Sequence, residues 1–212
     1  MQTSFALDGR TALVTGASRG LGMAIAEGLA GAGADIIGVS ANQPASGSEI
    51  QGRGEGAGRR FSGRACDFAD RQQTRELVDW LDDQGHQVDI LINNAGIIRR
   101  APVVGHSDAD WDAVLEVNLT APFVLTRELA KPMIARGHGK VVFVTSILGF
   151  QGGVTVPGYA STKSAVIGLT KALANEWAGL GVNVNAIAPG YVRTDNTRVL
   201  QDDPERSEAI RT

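Results

Sequence analysis

The start of the chain joins a strand-like run, a glycine-rich turn and a helix-like segment without interruption. Thr11–Thr15 has the apolar, β-branched composition of a buried strand, and Gly16-Ala-Ser-Arg-Gly20-Leu-Gly22 follows at once. A helical apolar pattern then runs to Gly31 and Gly33. Glycines permit positive φ and close backbone approach, and a helix amino terminus offers free N–H groups to phosphate. This order of elements predicts a phosphate-binding loop.

Strand-like and helical patterns alternate along the rest of the chain. Asp70 and Ser107 are predicted helix caps, Pro122 is a predicted kink or new helix start, and residues 43–58 have the composition of a long loop or a poorly formed helix. This alternation predicts an α/β fold: a Rossmann-type, doubly wound parallel sheet with helices on both faces. The further predicted strands are residues 34–40, 59–66, 88–93, 140–146 and 181–187.

Composition limits the classes of function. The length of 212 residues predicts one domain over residues 1–212. A net charge of −3 gives no basic surface for nucleic acid or for membranes. The single cysteine, Cys66, excludes an internal disulfide and fits a reducing compartment. Without a signal peptide or a long apolar segment, the sequence predicts a cytoplasmic protein.

The segment from Ser146 to Lys163 carries the candidate chemistry. Tyr159 and Lys163 are spaced to share one face of a helix, where an ammonium would lower the tyrosine pKa from about 10. A phenol tuned in this way is a general acid or base for an alcohol or a carbonyl. Ser146 closes a predicted strand, at the edge where open α/β sheets bind ligands. The alternative is a half-buried tyrosine and a solvated lysine with no such role.

Taken together, these motifs resemble the short-chain dehydrogenase/reductase family over essentially the whole chain. Thr15-Gly16-xxx-Gly20-x-Gly22 matches the family's cofactor loop, Asn93-Asn-Ala-Gly96 its structural motif, and Pro189-Gly190-xxx-Thr194 the segment beside the nicotinamide. The resemblance implies reversible hydride transfer between NAD or NADP and a secondary alcohol. The residues that match the catalytic tetrad are Asn118, Ser146, Tyr159 and Lys163.

The resemblance also implies a role for each residue of the tetrad. Tyr159 would exchange the hydroxyl proton, while Lys163 would lower its pKa and reach the nicotinamide ribose. Ser146 would hydrogen-bond the reacting oxygen. Asn118 would hold a proton-relaying water, or would simply mark a helix kink. Asp67 would meet the adenine edge, or would cap a helix. The implied cofactor contacts are Gly16, Ser18, Arg19, Gly20, Leu21, Gly22, Ser40, Asp67, Asn94, Ala95, Gly96, Tyr159, Lys163, Pro189, Gly190, Val192 and Thr194.

Shorter matches narrow the substrate. Residues 94–100, 150–153, 173–177 and 188–191 are similar to the 2-deoxy-D-gluconate 3-dehydrogenase group, which includes enzymes named 2-dehydro-3-deoxy-D-gluconate 5-dehydrogenase. A small sugar acid is therefore the expected substrate, because arginine pairs bidentately with carboxylates. The alternative for the two arginines and for the glutamine is plain loop polarity. The predicted substrate contacts are Arg99, Arg100, Ser146, Gln151 and Tyr159.

Two other functions fit parts of the pattern. One is a 3-oxoacyl-carrier-protein reductase that uses NADPH, since it shares the tetrad. The other is a catalytically silent, cofactor-binding regulatory protein. Cofactor choice is also open: the second predicted strand ends at Ser40 where many NAD-binding folds have an acid, and Arg19 is where NADP-using members place a base. The resemblance gives a mild preference for NAD.

The resemblance also bears on assembly and completeness. The helices that bear Trp111 and Tyr159 commonly form a dimer face in this family, so we expect a homodimer or homotetramer. Family members continue past the position of Thr212, through a further helix and strand, so the chain is expected to lack a carboxyl-terminal part. His86, His106 and His138 have no metal-ligand spacing, and no metal is predicted.

Overall fold

Six parallel strands form one sheet in the computed structural model, which describes residues 5–44, 51–52 and 58–192. The strand order is β3-β2-β1-β4-β5-β6. The direction of winding reverses between β1 and β4, and this is the point at which open α/β sheets leave a crevice for ligands. The strands are β1 (Thr11–Thr15), β2 (Asp35–Ser40), β3 (Phe61–Ala65), β4 (Ile90–Asn93), β5 (Gly139–Val144) and β6 (Val182–Ile187).

Helices connect the strands, and the predicted caps of two of them are confirmed. The Asp70 side chain accepts the N–H of Gln72 at 2.9 Å, and the Ser107 hydroxyl accepts the N–H of Asp110 at 3.1 Å. The α-helices are α1 (Gly20–Gly31), α2 (Arg71–Asp83), α3 (Asp108–Leu115), α4 (Ala121–Ala135), α5 (Leu148–Gln151) and α6 (Pro157–Trp177). None of the helices in these ranges is both long and apolar enough to cross a bilayer.

One irregular element was only partly predicted. A π-helix, Glu116–Thr120, lies between α3 and α4, and Pro122 follows in the first turn of α4. The sequence indicated a break at Pro122, because proline removes a backbone donor. The structure shows that the departure from α-helical geometry comes earlier and includes Asn118. Two 3₁₀ turns, Val103–Gly105 and Ala178–Leu180, also occur in the described part of the chain.

Apolar residues cover both faces of the sheet, which confirms the predicted doubly wound fold. In β1, Leu13 packs into the cluster that includes Leu77, Leu125 and Val166 from α2, α4 and α6. Its neighbours Ala12 and Val14 point to the other side and pack with α1. Alternate residues of a strand point to opposite faces, so a sheet covered on both faces needs apolar side chains at successive positions. The predicted loop over residues 43–58 lies mostly outside the described residues.

Candidate functional site

A cleft of about 540 Å³ lies at the carboxyl ends of the strands, where the winding reverses. Most of the residues selected from the sequence line it: Gly16, Ser18, Arg19, Gly20, Leu21, Gly22, Ser40, Asp67, Asn94, Ala95, Gly96, Arg100, Ser146, Tyr159, Lys163, Pro189, Gly190 and Val192. Asn118, Arg99 and Gln151 do not line it. Thr194 lies outside the described residues.

The cleft also has lining residues that the sequence reasoning missed. Each lies within two positions of a predicted site residue, so nearness in the chain was the one signal that could have found them. They are Ala41, Asn42, Cys66, Phe68, Ile97, Ile98, Val117, Val144, Thr145, Ile147, Leu148 and Tyr191. Among them, burial raises the pKa of the Cys66 thiol to about 12, with the nearby Asp67 charge acting in the same direction. Cys66 is therefore a neutral packing residue.

The glycine-rich turn is held against the loop after β4 by close backbone contacts. Gly16 has a φ of +66°, and a Cβ there would lie 2.8 Å from the Asn94 side-chain nitrogen. A Cβ on Gly22 would lie 2.2 Å from the carbonyl oxygen of Gly16. Thr15 Oγ1 accepts the N–H groups of Asn94 at 2.9 Å and Ala95 at 3.0 Å, and Asn94 donates back to the Thr15 carbonyl. Only glycine fits this turn.

Three features at this end of the cleft suit a phosphate-containing ligand. Among the described residues, no side chain caps α1 at its N-cap residue Arg19, and an uncapped helix amino terminus binds anions. The hydroxyl of Ser40, at the end of β2, is buried without a hydrogen-bond partner in the described structure. Asp67 lines the cleft, and its carboxylate accepts the N–H of Ala69 at 3.0 Å, so it orders a turn rather than capping α2.

Tyr159 and Ser146 meet at the other end of the cleft. Burial raises the pKa of Tyr159 above the usual value, while a side-chain hydrogen bond with Ser146 and the positive charge of Arg100 act to lower it. The Ser146 hydroxyl also accepts the N–H of Leu148 at 3.1 Å, which fixes its direction at the start of α5. A phenol flanked by a hydroxyl and a cation is suited to exchanging a proton with a bound alcohol.

Lys163 is buried one helical turn after Tyr159 on α6. Its Nζ lies 5.5 Å from the centre of the Tyr159 ring and donates to the Val144 carbonyl at 2.6 Å. Burial lowers the pKa of Lys163 to about 8. The sequence predicted that Lys163 would lower the pKa of Tyr159. In this structure the ammonium is directed toward β5, and the influences that lower the pKa of Tyr159 are the Ser146 hydrogen bond and the Arg100 charge, so the effect of Lys163 on Tyr159 stays a prediction.

Asn118 is buried in the π-helix and joins three elements. Its Oδ1 accepts the N–H of Ile97 at 2.8 Å, and its Nδ2 donates to the Ile97 carbonyl at 2.9 Å and to Thr162 at 3.3 Å. A Cβ on Gly96 would lie 3.3 Å from Asn118 Oδ1 and 3.8 Å from Lys163 Nζ, so the two side chains approach the same glycine. Asn118 thus lies just behind the cleft wall, in an irregular helical turn.

The two neighbouring arginines have different environments. Arg99 Nε lies 3.2 Å from a carboxylate oxygen of Asp110, on α3, and is outside the cleft. Arg100 lines the cleft, and its charge reaches Tyr159. Gln151 is exposed at the end of α5. The geometry therefore brings one of the two arginines, and not the glutamine, to the candidate reaction centre.

Comparison with known proteins agrees with this arrangement. The family model described as short chain dehydrogenase matches residues 10–205. The chain belongs to the short-chain dehydrogenase family. Members of this family are NAD(P)-dependent oxidoreductases that act on CH–OH groups of small molecules, and this chain is such an enzyme.

Individual relatives are similar over nearly the full chain. A 2-dehydro-3-deoxy-D-gluconate 5-dehydrogenase of Pseudoalteromonas atlantica is 53% identical, over 99% of this chain and 83% of the relative. A crystal structure from Agrobacterium tumefaciens, assigned as 2-deoxy-D-gluconate 3-dehydrogenase with bound NADP, is 50% identical with a TM-score of 0.89, covering 99% of this chain and 82% of that one. The 3-oxoacyl-[acyl-carrier-protein] reductase of Escherichia coli is 36% identical, over 92% of this chain and 79% of the relative.

Proposed function

We propose that this enzyme interconverts a secondary alcohol and a ketone on a small sugar acid such as 2-deoxy-D-gluconate. The observation that carries the proposal is the position of Arg100, which lines the same cleft as Tyr159 and acts on its pKa. A guanidinium there can pair with a substrate carboxylate while the phenol faces a hydroxyl of the same molecule. The names of the similar proteins from Pseudoalteromonas and Agrobacterium support a sugar acid over other alcohols.

The cleft fits a dinucleotide at its other end. The turn from Gly16 to Gly22 and the amino terminus of α1 would hold the phosphates. The Ser40 hydroxyl, which has no hydrogen-bond partner among the described residues, would meet the adenine ribose. Asp67 would lie at the adenine edge, and Pro189, Gly190 and Val192 beside the nicotinamide. When bound, the cofactor supplies or accepts the hydride.

The protein's own residues would manage the proton and the orientation of the substrate. Tyr159 would take the hydroxyl proton in the oxidation direction and return it in the reduction direction. Ser146, in hydrogen bond with Tyr159, would hold the reacting oxygen. Lys163 would supply a buried cation near the phenol, and Asn118 would fix the cleft wall and its water.

For the cofactor, we propose that both NAD and NADP are accepted, with NAD preferred. Ser40 neither repels nor attracts a 2′-phosphate, and this supports dual use. Arg19 in the cleft is the observation that favours NADP instead. The ratio of kcat/KM for the two cofactors tests the preference. Arg19→Gln should raise KM for NADP more than for NAD, and equal effects on both would count against contact with the 2′-phosphate.

The substrate proposal is tested by treating the adjacent arginines as a matched pair. Arg100→Leu should raise KM for the sugar acid by roughly tenfold or more, because a charge-assisted hydrogen bond is lost. Arg99→Leu removes the same charge outside the cleft, so KM should stay within about twofold of wild type. The corresponding neutral sugar should be a poor substrate for all three proteins. An unchanged KM in Arg100→Leu would refute the carboxylate contact.

A second measurement on the same variants separates the two arginines further. Because the Arg100 charge favours the phenolate, its removal should raise the pKa of Tyr159. The pH profile for alcohol oxidation, which requires the ionised phenol, should then shift to higher pH in Arg100→Leu and not in Arg99→Leu. The same shift in both variants would indicate a general charge effect instead of a local one.

The two rival functions give different results in these assays. A 3-oxoacyl-carrier-protein reductase would reduce acyl thioesters with a clear NADPH preference, and its E. coli example is the less similar relative at 36% identity. A silent regulatory protein would bind NAD(P)H without turnover on any acid or thioester.

We also propose a homodimer or homotetramer, which light scattering of the purified chain would test.

A further inference from the structure

A bidentate ion pair joins the first residue of α2 to the first residue of the π-helix. Arg71 Nε donates to Glu116 Oε1 at 3.0 Å, and Arg71 Nη2 donates to Glu116 Oε2 at 2.6 Å. The Glu116 side chain is 18% exposed and the Arg71 side chain 53% exposed, so the pair is partly shielded from solvent. Two parallel hydrogen bonds fix both distance and orientation, unlike a single contact between flexible side chains.

On the α2 side, Arg71 follows the loop that contains the cleft-lining residue Asp67. The Asp67 carboxylate accepts the N–H of Ala69 at 3.0 Å, and the Asp67 N–H donates to the Gln73 side chain at 2.9 Å. Asp70 caps α2 through the N–H of Gln72. These bonds make the start of α2 and the cleft-lining residue Asp67 one ordered unit.

On the other side, Glu116 is two positions before Asn118 within the π-helix. A π-helix is rarer and less regular than an α-helix and commonly marks a functional position. Asn118 bonds both backbone groups of Ile97, a cleft-lining residue, and also Thr162, which precedes Lys163 on α6. The position of the π-helix therefore sets the position of one wall of the cleft.

We propose that the Arg71–Glu116 pair is a positioning element, which anchors the π-helix so that Asn118 holds Ile97 and the loop after β4 in place. The pair thereby connects the Asp67 end of the cleft to the Tyr159 end. Arg71 and Glu116 themselves touch neither substrate nor cofactor in this scheme. The catalytic consequence rests on the proposed dehydrogenase function, whereas the structural link does not.

Hydrogen–deuterium exchange at the Ile97 amide tests the link without any turnover. That amide donates to Asn118 Oδ1, so loss of the anchor should speed its exchange by about two- to fivefold in Arg71→Gln and in Glu116→Gln. The matched control is Arg60→Gln, which breaks an ion pair in which Nε and Nη2 of Arg60 both contact Asp35 Oδ2, at the opposite edge of the sheet. Arg60→Gln should leave Ile97 exchange as in wild type.

The charge-reversed double variant, Arg71→Glu with Glu116→Arg, separates positioning from simple loss of charge. Each single variant should lower kcat by about two- to fivefold at nearly unchanged KM. The double variant should restore both the slow exchange of the Ile97 amide and the wild-type kcat. Three results would each overturn the proposal. The Ile97 amide could exchange no faster in the single variants than in Arg60→Gln, it could exchange faster while kcat stays unaltered, or the charge-reversed double variant could fail to restore either quantity. A wild-type protein without turnover would refute the proposed function. The Ile97 exchange rates of the single and double variants would still show whether the Arg71–Glu116 pair positions Ile97.

Discussion

Buried charges have different surroundings at the two edges of the sheet, where the strands begin (the amino edge) and where they end (the carboxyl edge). At the amino edge, the buried Asp89 precedes β4 and is matched by cations: Arg10 lies 3.5 Å and Arg136 3.9 Å from its Oδ1. Its other oxygen accepts the N–H of Thr11 at 3.1 Å. Asp89 Oδ1 accepts no hydrogen bond within the described structure, so these two cations are what offsets its charge, while the Thr11 bond joins β1 to the start of β4.

At the carboxyl edge, the buried charge is not matched. Lys163 has a neutral carbonyl, that of Val144, as its hydrogen-bond partner, and within the described ranges it forms no ion pair. The hydroxyls of Ser40 and Thr145, which also line the cleft, are buried without partners in the described structure. The comparison indicates that the amino edge stabilises the fold, whereas the carboxyl edge retains polar groups that a ligand can satisfy.

The largest expected effect is on catalysis at the carboxyl edge. Tyr159→Phe removes the phenol that exchanges the proton and should lower kcat by about 10²–10⁴-fold. Dissociation constants for NADH and NADPH, followed by fluorescence, should change little. Tyr191→Phe is the natural control, because the chain has two tyrosines and both line the cleft. Near-normal turnover in Tyr159→Phe would remove the proton-transfer role.

The next largest expected effect is a gain in stability, at the buried Lys163. Because burial lowers the Lys163 pKa from 10.5 to about 8, holding the charge in the fold costs about 3 kcal/mol at neutral pH. Lys163→Met removes this cost and one hydrogen bond, so it should raise the free energy of unfolding by about 2 kcal/mol at pH 7. Activity should fall severely in the same variant.

The pH dependence of that gain gives a further check. Between the two pKa values the unfolded wild-type chain binds more protons than the folded one, so the wild-type protein gains stability as the pH rises from about 8. The advantage of Lys163→Met should therefore shrink between about pH 8 and pH 10 in urea titrations. A constant difference, or a less stable Lys163→Met protein at pH 7, would contradict an uncompensated charge at position 163.

The same contrast explains what the sequence could predict. The alternation of strands and helices, the helix caps and most of the cleft-lining residues followed from local patterns, because polar and glycine residues at strand ends meet at one edge of a parallel sheet. The sequence could not distinguish Arg99 from Arg100. Arg99 pairs with Asp110, and a local sequence pattern does not predict a contact at that separation. The direction of the Lys163 ammonium likewise depends on a backbone carbonyl of β5.

The smallest expected effect tests the amino edge. Asp89→Asn keeps the side-chain shape and removes the charge between Arg10 and Arg136, so it should destabilise the fold by about 1–2 kcal/mol. For a chain of this size that corresponds to a Tm lower by roughly 2–8 °C, while kcat/KM well below Tm should stay unchanged. Asp82→Asn, at an exposed position on α2, should alter neither quantity. If Asp89→Asn instead changed kcat/KM at constant Tm, the division of labour between the two edges would be wrong, because a charge far from the cleft would then act on catalysis without acting on stability.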